Sequence, residues 1–443
     1  MKQRDTLKIN DKGHLEIGGC DAADLAREYG TPLYVMDEAY IRKVCRAYRA
    51  ELSAYPRARI CYASKAFSCK AIYRIMKEEG VGADVVSGCE LYTALSGGMD
   101  ADGIYFHGNN KSRRELEEAV EAGVHAVVLD SFYEIGMLNE IASAAGRRQR
   151  VLVRVNPGID AHTHHFIQTT RVDSKFGFSV ADGTAEAVIR AVRELNGLDF
   201  AGLHCHIGSQ IFETKPFELA VEKMTDFIAN LSAAGIPVEE LNLGGGYGVT
   251  YTDEDRPLEP QQYVAAVVAK LKACVAEKHI APPVLVLEPG RSIVGEAGIT
   301  LYTVGAVKDI KNVKKYVSVD GGMFENPRYA LYQAKYEAVA AGRMRDKATE
   351  TVTVAGKCCE SGDMLVIDAH LPAMESGDLL AVLTTGAYNY SMASHYNRNA
   401  VPPVVLCRDG RSAYIVRPES YERICALDDY PDWLGRPEKE DRS

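Results

Sequence analysis

The sequence predicts an α/β fold joined to an all-β region: a (β/α)8 TIM-type barrel packed on a second, strand-rich domain. From about residue 58, short apolar runs alternate with helical patterns. Eight such units fit into roughly 240 residues, which matches the repeat of a (β/α)8 barrel. After about Gly295 the runs read as strands with few helices between them. An open, doubly wound sheet remains the alternative for the first part, because strand order cannot be read from one sequence.

The barrel strands are predicted at short β-rich runs. Amphipathic stretches between them, such as Ser112–Ala122 and Phe217–Ala234, place apolar residues at helical spacing. The eight predicted strands are Arg59–Ala63, Gly82–Val86, Gly103–His107, His125–Leu129, Val151–Val155, Phe200–His206, Glu240–Leu243 and Val284–Glu288.

The second domain is predicted to be a β-sandwich or a small β-barrel. Its predicted strands are Ile299–Lys308, Lys315–Val319, Thr349–Val354, Leu379–Leu383 and Ala413–Val416. The N-terminal segment carries strand-like runs at Leu7–Ile9 and Leu33–Met36, so we expect it to join this domain. We therefore assign residues 41–296 to the barrel, and residues 1–40 and 297–443 to the β domain.

Composition excludes several classes of protein. The 443 residues carry 51 Lys and Arg against 61 Asp and Glu, a formal net charge of -10. That balance argues against a partner that is a nucleic acid or an anionic membrane. No apolar run approaches the roughly 18 residues of a membrane span, and the first residues lack the apolar stretch of a signal peptide. The 11 cysteines form no C-x-x-C pair, so we expect a cytosolic protein without a metal site.

Three strand ends carry residues suited to chemistry, because the carboxyl ends of barrel strands face the active site. Lys65 follows the first strand; if desolvated there it can form a Schiff base, and the alternative is a snorkelling surface lysine. The glycines of Gly244–Gly248 follow the seventh strand and suit an anion, or form only a tight turn. Glu288 ends the eighth strand and needs a positive partner, which is either a cofactor nitrogen or Arg291 in a structural ion pair.

The sixth strand ends in His204 and His206, which the strand period places on one face. A metal pair is one interpretation, although no third ligand at matching spacing is evident. The alternative is an imidazole facing a cofactor ring, with Ser209 available for a phosphate. A strand-end lysine, a glycine loop and a strand-end glutamate together match the needs of pyridoxal phosphate: an amine, an anion cradle and a carboxylate for the ring nitrogen.

Nine motifs, in the same order along the chain, resemble those of the diaminopimelate decarboxylases. This family belongs to the fold-type III pyridoxal-phosphate enzymes, together with alanine racemase and eukaryotic ornithine decarboxylase. The resemblance implies a cofactor-bearing barrel on a β domain, and a head-to-tail homodimer with active sites at the interface. The motifs are YASKAF (62–67), VVSGCE (85–90), HGNNKS (107–112), SKFG (174–177), HCHIGSQ (204–210), NLGGGYG (242–248), EPGR (288–291), CESGD (359–363) and GAYNYSMASHYN (386–397).

The resemblance also implies roles for single residues around the cofactor. Lys65 would be the aldimine lysine, His206 would stack on the ring, and Glu288 would face its nitrogen. The residues implied to hold the phosphate are Ser209, Gly245, Gly246, Gly290 and Arg291.

For the substrate, the resemblance implies two groups of residues. Arg291, Arg328 and Tyr332 match the positions that bind the substrate carboxylate, and Tyr388 would contact both cofactor and substrate. Cys359 and Glu360 would come from the partner subunit, the thiol as proton donor to the carbanion and the carboxylate to hold the distal amino group.

The chain departs from the family pattern at a few positions. After Gly356, Lys357 and Cys358 stand where the family often has proline and a hydrophobic residue. Cys89 replaces a common glycine, and Phe67 a common asparagine. None of these removes a group that the chemistry requires.

The expected reaction is decarboxylation of meso-2,6-diaminopimelate to L-lysine, the last step of lysine biosynthesis. Rival enzyme activities are decarboxylation of ornithine, arginine, carboxynorspermidine or a carrier-bound amino acid, and racemisation. A catalytically inactive regulatory homologue is the rival from another class. Glu360 directly after Cys359 favours diaminopimelate, because ornithine-type enzymes typically have Asp there.

Overall fold

The computed structural model describes residues 7–158 and 174–434. The chain starts with three short strands and a helix, then one buried strand and a long helix. These elements are β1 (Leu7–Ile9), β2 (Leu15–Ile17), β3 (Cys20–Asp21), α1 (Ala22–Tyr29), β4 (Leu33–Asp37) and α2 (Glu38–Leu52).

Strands and helices then alternate as the sequence predicts. In chain order they are β5 (Ala58–Ala63), α3 (Lys70–Glu78), β6 (Gly82–Val85), α4 (Gly88–Ser96), β7 (Ile104–Phe106), α5 (Arg113–Ala122), β8 (Ala126–Leu129), α6 (Phe132–Ala144), β9 (Gln149–Asn156), β10 (Phe178–Ser179), α7 (Thr184–Arg193), β11 (Leu198–His204), α8 (Lys215–Ala233), β12 (Glu240–Asn242), α9 (Pro260–Glu277), β13 (Val284–Leu287) and α10 (Arg291–Val294).

The remaining chain is rich in strands. Its elements are β14 (Gly298–Ile310), β15 (Lys314–Val319), α11 (Arg328–Tyr332), β16 (Ala338–Ala340), β17 (Glu350–Ala355), β18 (Met364–Leu371), β19 (Leu379–Leu383), β20 (Val404–Arg408), β21 (Arg411–Val416) and α12 (Tyr421–Cys425).

Eight parallel strands close into a barrel in the order β5, β6, β7, β8, β9, β11, β12, β13. Leu129 pairs with Val153 where β8 meets β9, and β13 returns to β5. Closure confirms the predicted barrel and excludes the open sheet. Alternate residues of each strand point inward, where Cys61, Tyr105 and Leu152 belong to a small interior cluster. Their neighbours pack against the surrounding helices.

Local signals account for the helix boundaries. Ser112 and Glu115 form a capping box before α5, so this helix begins one residue later than predicted, and it ends at Gly123 in the left-handed region. Pro216 in the first turn of α8 needs no backbone donor, and this helix begins at Lys215, before the predicted Phe217.

The β domain is built on a long sheet in the order β18, β17, β15, β14, β4, β20, β21, with β19 also pairing β14. The N-terminal strand β4 lies between β14 and β20, pairing Leu33 with Leu301 and Val35 with Val405. The predicted fold class, a barrel with a β domain that recruits the N-terminal segment, is therefore confirmed.

The sequence analysis missed several strands of this domain, among them β18 and β20. In β18, Asp368 takes a positive φ, and the pairing with β17 shifts register, which breaks the alternation that marks a strand. The short apolar run of β20 carries no alternation, because both of its faces are covered. In the described ranges, we find no helix that combines the length and the apolar character needed to cross a bilayer.

Candidate active site

A cavity of about 790 Å³ opens at the carboxyl ends of the barrel strands, where the β domain meets the barrel. Its size suits a cofactor together with a small substrate. The structure brings every predicted site residue to this cavity except Cys359 and Glu360. The predicted residues that line it are Lys65, His206, Ser209, Gly245, Gly246, Glu288, Gly290, Arg291, Arg328, Tyr332 and Tyr388.

Lys65 lies in a single 3-10 turn directly after β5 and projects into the cavity. Its side chain is exposed, because the cavity is open at this end of the barrel. Within the described ranges its Nζ has no hydrogen bond or ion pair. Lys111 also lines the cavity, but its Nζ donates to Glu134 Oε2 at 2.6 Å and to the Val128 carbonyl at 2.6 Å. Lys335, a third lysine of the lining, pairs with Glu254 Oε2 at 3.2 Å. Of these three lysines, Lys65 is the one with an available amine.

The β domain holds the turn that carries Lys65. The amide of Tyr388 donates to the Ala66 carbonyl at 2.8 Å, and Ser391 Oγ donates to the Lys65 carbonyl at 2.8 Å. Tyr388 adopts a positive φ of 63°, which turns its backbone toward the barrel. These bonds fix the position of the lysine backbone relative to the β-domain loop.

Glu288 is buried behind the cavity and receives three polar contacts. His107 Nε2 donates to Oε1 at 2.9 Å, Asn242 Nδ2 donates to Oε1 at 2.6 Å, and His204 Nε2 lies 3.3 Å from Oε2. Burial acts to raise the pKa of Glu288, but the charge and hydrogen bond of His107 outweigh it and hold the pKa well below its usual range. Arg291 forms no ion pair with Glu288 in the described structure, so the structural-pair interpretation is wrong.

The two histidines at the end of the sixth strand have different surroundings. His204 is the last residue of β11 and contacts Glu288, whereas His206 follows the strand and lines the cavity. His204 forms a cluster with His107 and Glu288, in which the potential ligand atoms all lie within 4.8 Å of one another. Burial lowers the pKa of His206 well below its usual range, so this ring is neutral.

Glycine backbone forms one wall of the cavity at close quarters. A Cβ on Gly245 would lie 2.1 Å from the Glu288 carbonyl oxygen, and one on Gly246, with φ +111°, 2.4 Å from that of Gly208. A Cβ on Gly290 would lie 2.9 Å from the Cβ of Ala63. Only glycine fits at these positions, which leaves backbone amides accessible to a ligand. Ser209 stands beside them and accepts from Arg291 Nη2 at 3.1 Å.

Two buried guanidinium groups also line the cavity. Arg291 donates to Tyr251 and stacks 4.6 Å from the ring centroid of Tyr388. Arg328 donates from Nη1 to Tyr336 Oη at 2.8 Å. In the described part of the chain neither arginine has a carboxylate partner, and Arg291 Nε has no hydrogen-bond partner. This part of the cavity therefore carries positive charge suited to an anion.

Cys359 and Glu360 lie on an exposed loop away from the cavity of their own chain. The Cys359 amide donates to Asn397 Oδ1 at 2.8 Å. The buried Asp363 carboxylate accepts from the amides of Cys358 at 2.7 Å and Met323 at 2.6 Å. The loop is thus held in a defined conformation, with both side chains turned to the surface.

Sequence reasoning assigned no role to several residues that shape the site. His107 and Asn242 belong to two of the motifs given above. Their positions at strand ends could have identified them as site residues from the sequence. Asp84, whose pKa burial raises to about 6, lies 3.7 Å from His107 Nε2. Tyr251 follows a loop and carries no signal in the sequence, since only the packing of the two domains brings it to the arginines.

Comparison with known proteins identifies relatives that match nearly the whole chain. The sequence model of the family described as "Pyridoxal-dependent decarboxylase, pyridoxal binding domain" matches residues 39–295. The diaminopimelate decarboxylase of Bacillus subtilis is 49% identical over 96% of this chain and 97% of the relative, and that of Synechocystis is 44% identical over 97% and 93%. A crystal structure of the M. jannaschii diaminopimelate decarboxylase with L-lysine superposes with a TM-score of 0.92 at 36% identity, covering 97% of this chain and 99% of that one.

Pyridoxal phosphate fits the residues that are present. The cofactor requires an amine, a carboxylate for its ring nitrogen and an anion cradle. Lys65 offers an amine without a competing partner, Glu288 stays ionised although buried, and the glycine wall adjoins Arg291 with an unpartnered Nε. Together with the identity over nearly its whole length, this shows that the chain belongs to the diaminopimelate decarboxylase family, pyridoxal-phosphate-dependent carboxy-lyases.

Proposed function

We propose that the protein decarboxylates meso-2,6-diaminopimelate to L-lysine and carbon dioxide. One observation carries the choice of substrate: Arg291 and Arg328 are buried at the cavity without a carboxylate partner among the described residues. An unpaired buried cation is costly, so this part of the site favours an anionic ligand. Diaminopimelate has a second carboxylate that can fill this role, whereas ornithine, arginine and lysine have none.

A parallel assay tests the substrate. Purified holoenzyme is given meso-diaminopimelate, ornithine, arginine or lysine, and the amine product of each is quantified. The proposal requires L-lysine from meso-diaminopimelate at the highest kcat/KM. A higher kcat/KM for any of the monocarboxylates would contradict it.

Residues of the barrel would bind the cofactor and stabilise the proton on its ring nitrogen. When bound, pyridoxal phosphate supplies the electron sink that lets the bond to the departing carboxylate break. Lys65 Nζ would hold the cofactor in the absence of substrate. Glu288, kept ionised by His107, would stabilise a proton at the ring nitrogen. His206 is neutral, so its ring would cover the cofactor without adding a charge that opposes this proton.

The proton that replaces the lost carboxylate comes from a second subunit. Cys359 is exposed and lies outside the cavity of its own chain. We infer a homodimer in which the partner's Cys359 delivers a thiol proton to the substrate carbon, and the partner's Glu360 pairs with the distal ammonium. Each turnover then releases one carbon dioxide and takes up one proton.

Mixing two inactive variants tests this composite site. Lys65→Ala and Cys359→Ala chains are each nearly inactive alone. After statistical subunit exchange, half of the dimers are mixed, and each mixed dimer has one intact site. Recovery of up to about a quarter of the wild-type sites is therefore expected, since half of the sites in half of the dimers are intact.

The matched control is a mixture of Lys65→Ala with Glu288→Gln. Both residues belong to the same cavity, so every site carries one lesion and no activity returns. Subunit exchange is confirmed from the masses of mixed dimers. If Lys65→Ala and Cys359→Ala show no recovery although mixed dimers form, each site lies within one chain.

Arg328→Met tests the distal carboxylate. Removing one charge-assisted hydrogen bond lowers kcat/KM for meso-diaminopimelate at least about tenfold. Binding of 1,5-diaminopentane, measured as competitive inhibition, changes much less, because this diamine has no carboxylate. Arg343, which pairs with Asp346 and Asp378 outside the cavity, provides the control variant Arg343→Met. Equal losses for both ligands in Arg328→Met would make Arg328 a structural residue.

We also propose that the protein works in the cytosol. All 11 cysteines are free, including the exposed Cys89, Cys359 and Cys425. Exposed thiols persist in a reducing compartment, and a thiol proton donor requires one.

A further inference from the structure

Tyr251 lies between the two arginines that line the cavity. Arg291 donates from Nη1 to its hydroxyl oxygen. The guanidinium carbons of Arg291 and Arg328 lie 5.6 Å and 5.0 Å from the centroid of its ring. One aromatic side chain therefore contacts both groups that would hold the distal carboxylate.

The backbone around Tyr251 is fixed by hydrogen bonds on both sides. Gln210 exchanges two bonds with Val249, at 2.7 Å and 3.2 Å. The Asp255 carboxylate accepts from the amide of Tyr251 at 2.9 Å and from that of Thr252 at 2.8 Å. Such a segment has little freedom to move, which is what a residue that orients others requires.

The ring of Tyr251 links the two domains. It follows the glycine loop of the barrel but is buried in the core of the β domain, where its centroid is 5.2 Å from that of Tyr336 in an edge-to-face contact. Arg291 comes from the barrel and Arg328 from the β domain. Tyr251 thus contacts an arginine from each domain. Tyr388 lies near both arginines as well, but the Arg291 hydrogen bond goes to the hydroxyl of Tyr251.

Electrostatics supports this arrangement. Two adjacent guanidinium groups repel each other, and the electron-rich face and oxygen of a phenol between them reduce that repulsion. Burial acts to raise the pKa of Tyr251, but the two arginines outweigh it and lower the pKa below its ordinary value. The phenol oxygen is therefore an acceptor for the arginines.

We propose that Tyr251 is a positioning residue that orients Arg291 and Arg328 as a clamp for the distal carboxylate of a dicarboxylic substrate. The proposal deepens the proposed function and rests on it. It assigns selectivity for a second carboxylate to a residue that does not itself bind the substrate. The hydroxyl directs Arg291, and the ring separates the two cations.

The test is Tyr251→Phe, which removes the hydroxyl and keeps the ring. Binding of pimelate, a seven-carbon dicarboxylate without amino groups, and of 1,5-diaminopentane, a diamine without carboxylates, is measured by calorimetry on the holoenzyme. The dissociation constant of pimelate rises at least about tenfold, as for a lost hydrogen bond to a charged group. That of 1,5-diaminopentane changes less than about twofold, because it has no carboxylate for the arginines to bind. With meso-diaminopimelate the loss falls on KM and not on kcat.

Two further variants separate positioning from general damage. Tyr302→Phe removes another buried phenol of the same core, whose hydroxyl donates to Glu325 at 2.6 Å, and leaves the ratio of the two affinities unchanged. The double variant Tyr251→Phe/Arg291→Lys binds pimelate no more weakly than Arg291→Lys, because the hydroxyl acts through Arg291.

Two results overturn the proposal: an unchanged affinity ratio in Tyr251→Phe, whether neither ligand or both lose affinity equally, or additive effects in the double variant. The proposed function fails in a different measurement, when the wild-type holoenzyme does not convert meso-diaminopimelate. The two failures are therefore distinguishable.

Discussion

Lys65→Ala will reduce kcat for meso-diaminopimelate by about a thousandfold or more, because the amine that holds the cofactor is lost. Reduction of the wild-type holoenzyme with borohydride will attach the cofactor to the peptide that contains Lys65, and Lys65→Ala will show no such attachment. Within the described structure Lys65 has no competing partner, whereas the ammonium of Lys111 is held by Glu134 and two carbonyl oxygens.

Lys70 provides the matched control. It is exposed at the start of α3, five residues from Lys65, and does not line the cavity. Lys70→Ala is expected to keep wild-type turnover and the covalent attachment. Attachment to Lys111 or any other lysine in the wild-type protein would show that the assignment of Lys65 is wrong.

Glu288→Gln will lower kcat/KM by about a hundredfold, since it removes a preorganised charge from the site. Glutamine keeps the shape and can accept from His107 and Asn242, but it cannot stabilise a proton at the ring nitrogen. The absorbance spectrum of the bound cofactor will shift with that proton, which provides a measurement independent of turnover.

Glu240→Gln is the control for loss of a buried carboxylate. Glu240 begins β12, at the opposite end of the barrel, where it accepts from Tyr105 Oη at 2.8 Å and pairs with His125 at 2.9 Å. We expect this variant to lower the thermal midpoint while kcat/KM stays within about twofold of wild type, because breaking a buried pair affects stability and not a distant reaction. If both variants lose stability and activity alike, Glu288 has a structural role.

The sequence was most informative where the periodicity of one strand, or one motif, is enough to predict a feature of the structure. All eight barrel strands were predicted within a few residues, because buried parallel strands are short apolar runs between clear helical patterns. Lys65, Gly245 and Glu288 were found for the same reason, since residues directly after such strands must face the same end of a barrel. Strand β18 was missed because a bulge interrupts its alternation.

Contacts between segments that are distant along the chain could not be predicted from the sequence. The strand period places His204 and His206 on one face, yet His204 bonds to Glu288 while His206 faces the cavity, because the strand ends between them. The partner of Glu288 is His107, which is 181 residues away along the chain. No local pattern encodes such a pair.

By itself the sequence determined the fold class, the cofactor chemistry and the residues that its motifs mark, since these depend on local periodicity and on the types of side chain at strand ends. The tertiary structure alone decided which charges are paired. It showed Glu288 bonded to histidines and not to Arg291, and two arginines buried without a carboxylate in the described chain. It also placed Tyr251 between those arginines and Cys359 outside the cavity. The physical reason is that burial and pairing of charge arise where two domains pack, and packing joins residues that the sequence keeps far apart.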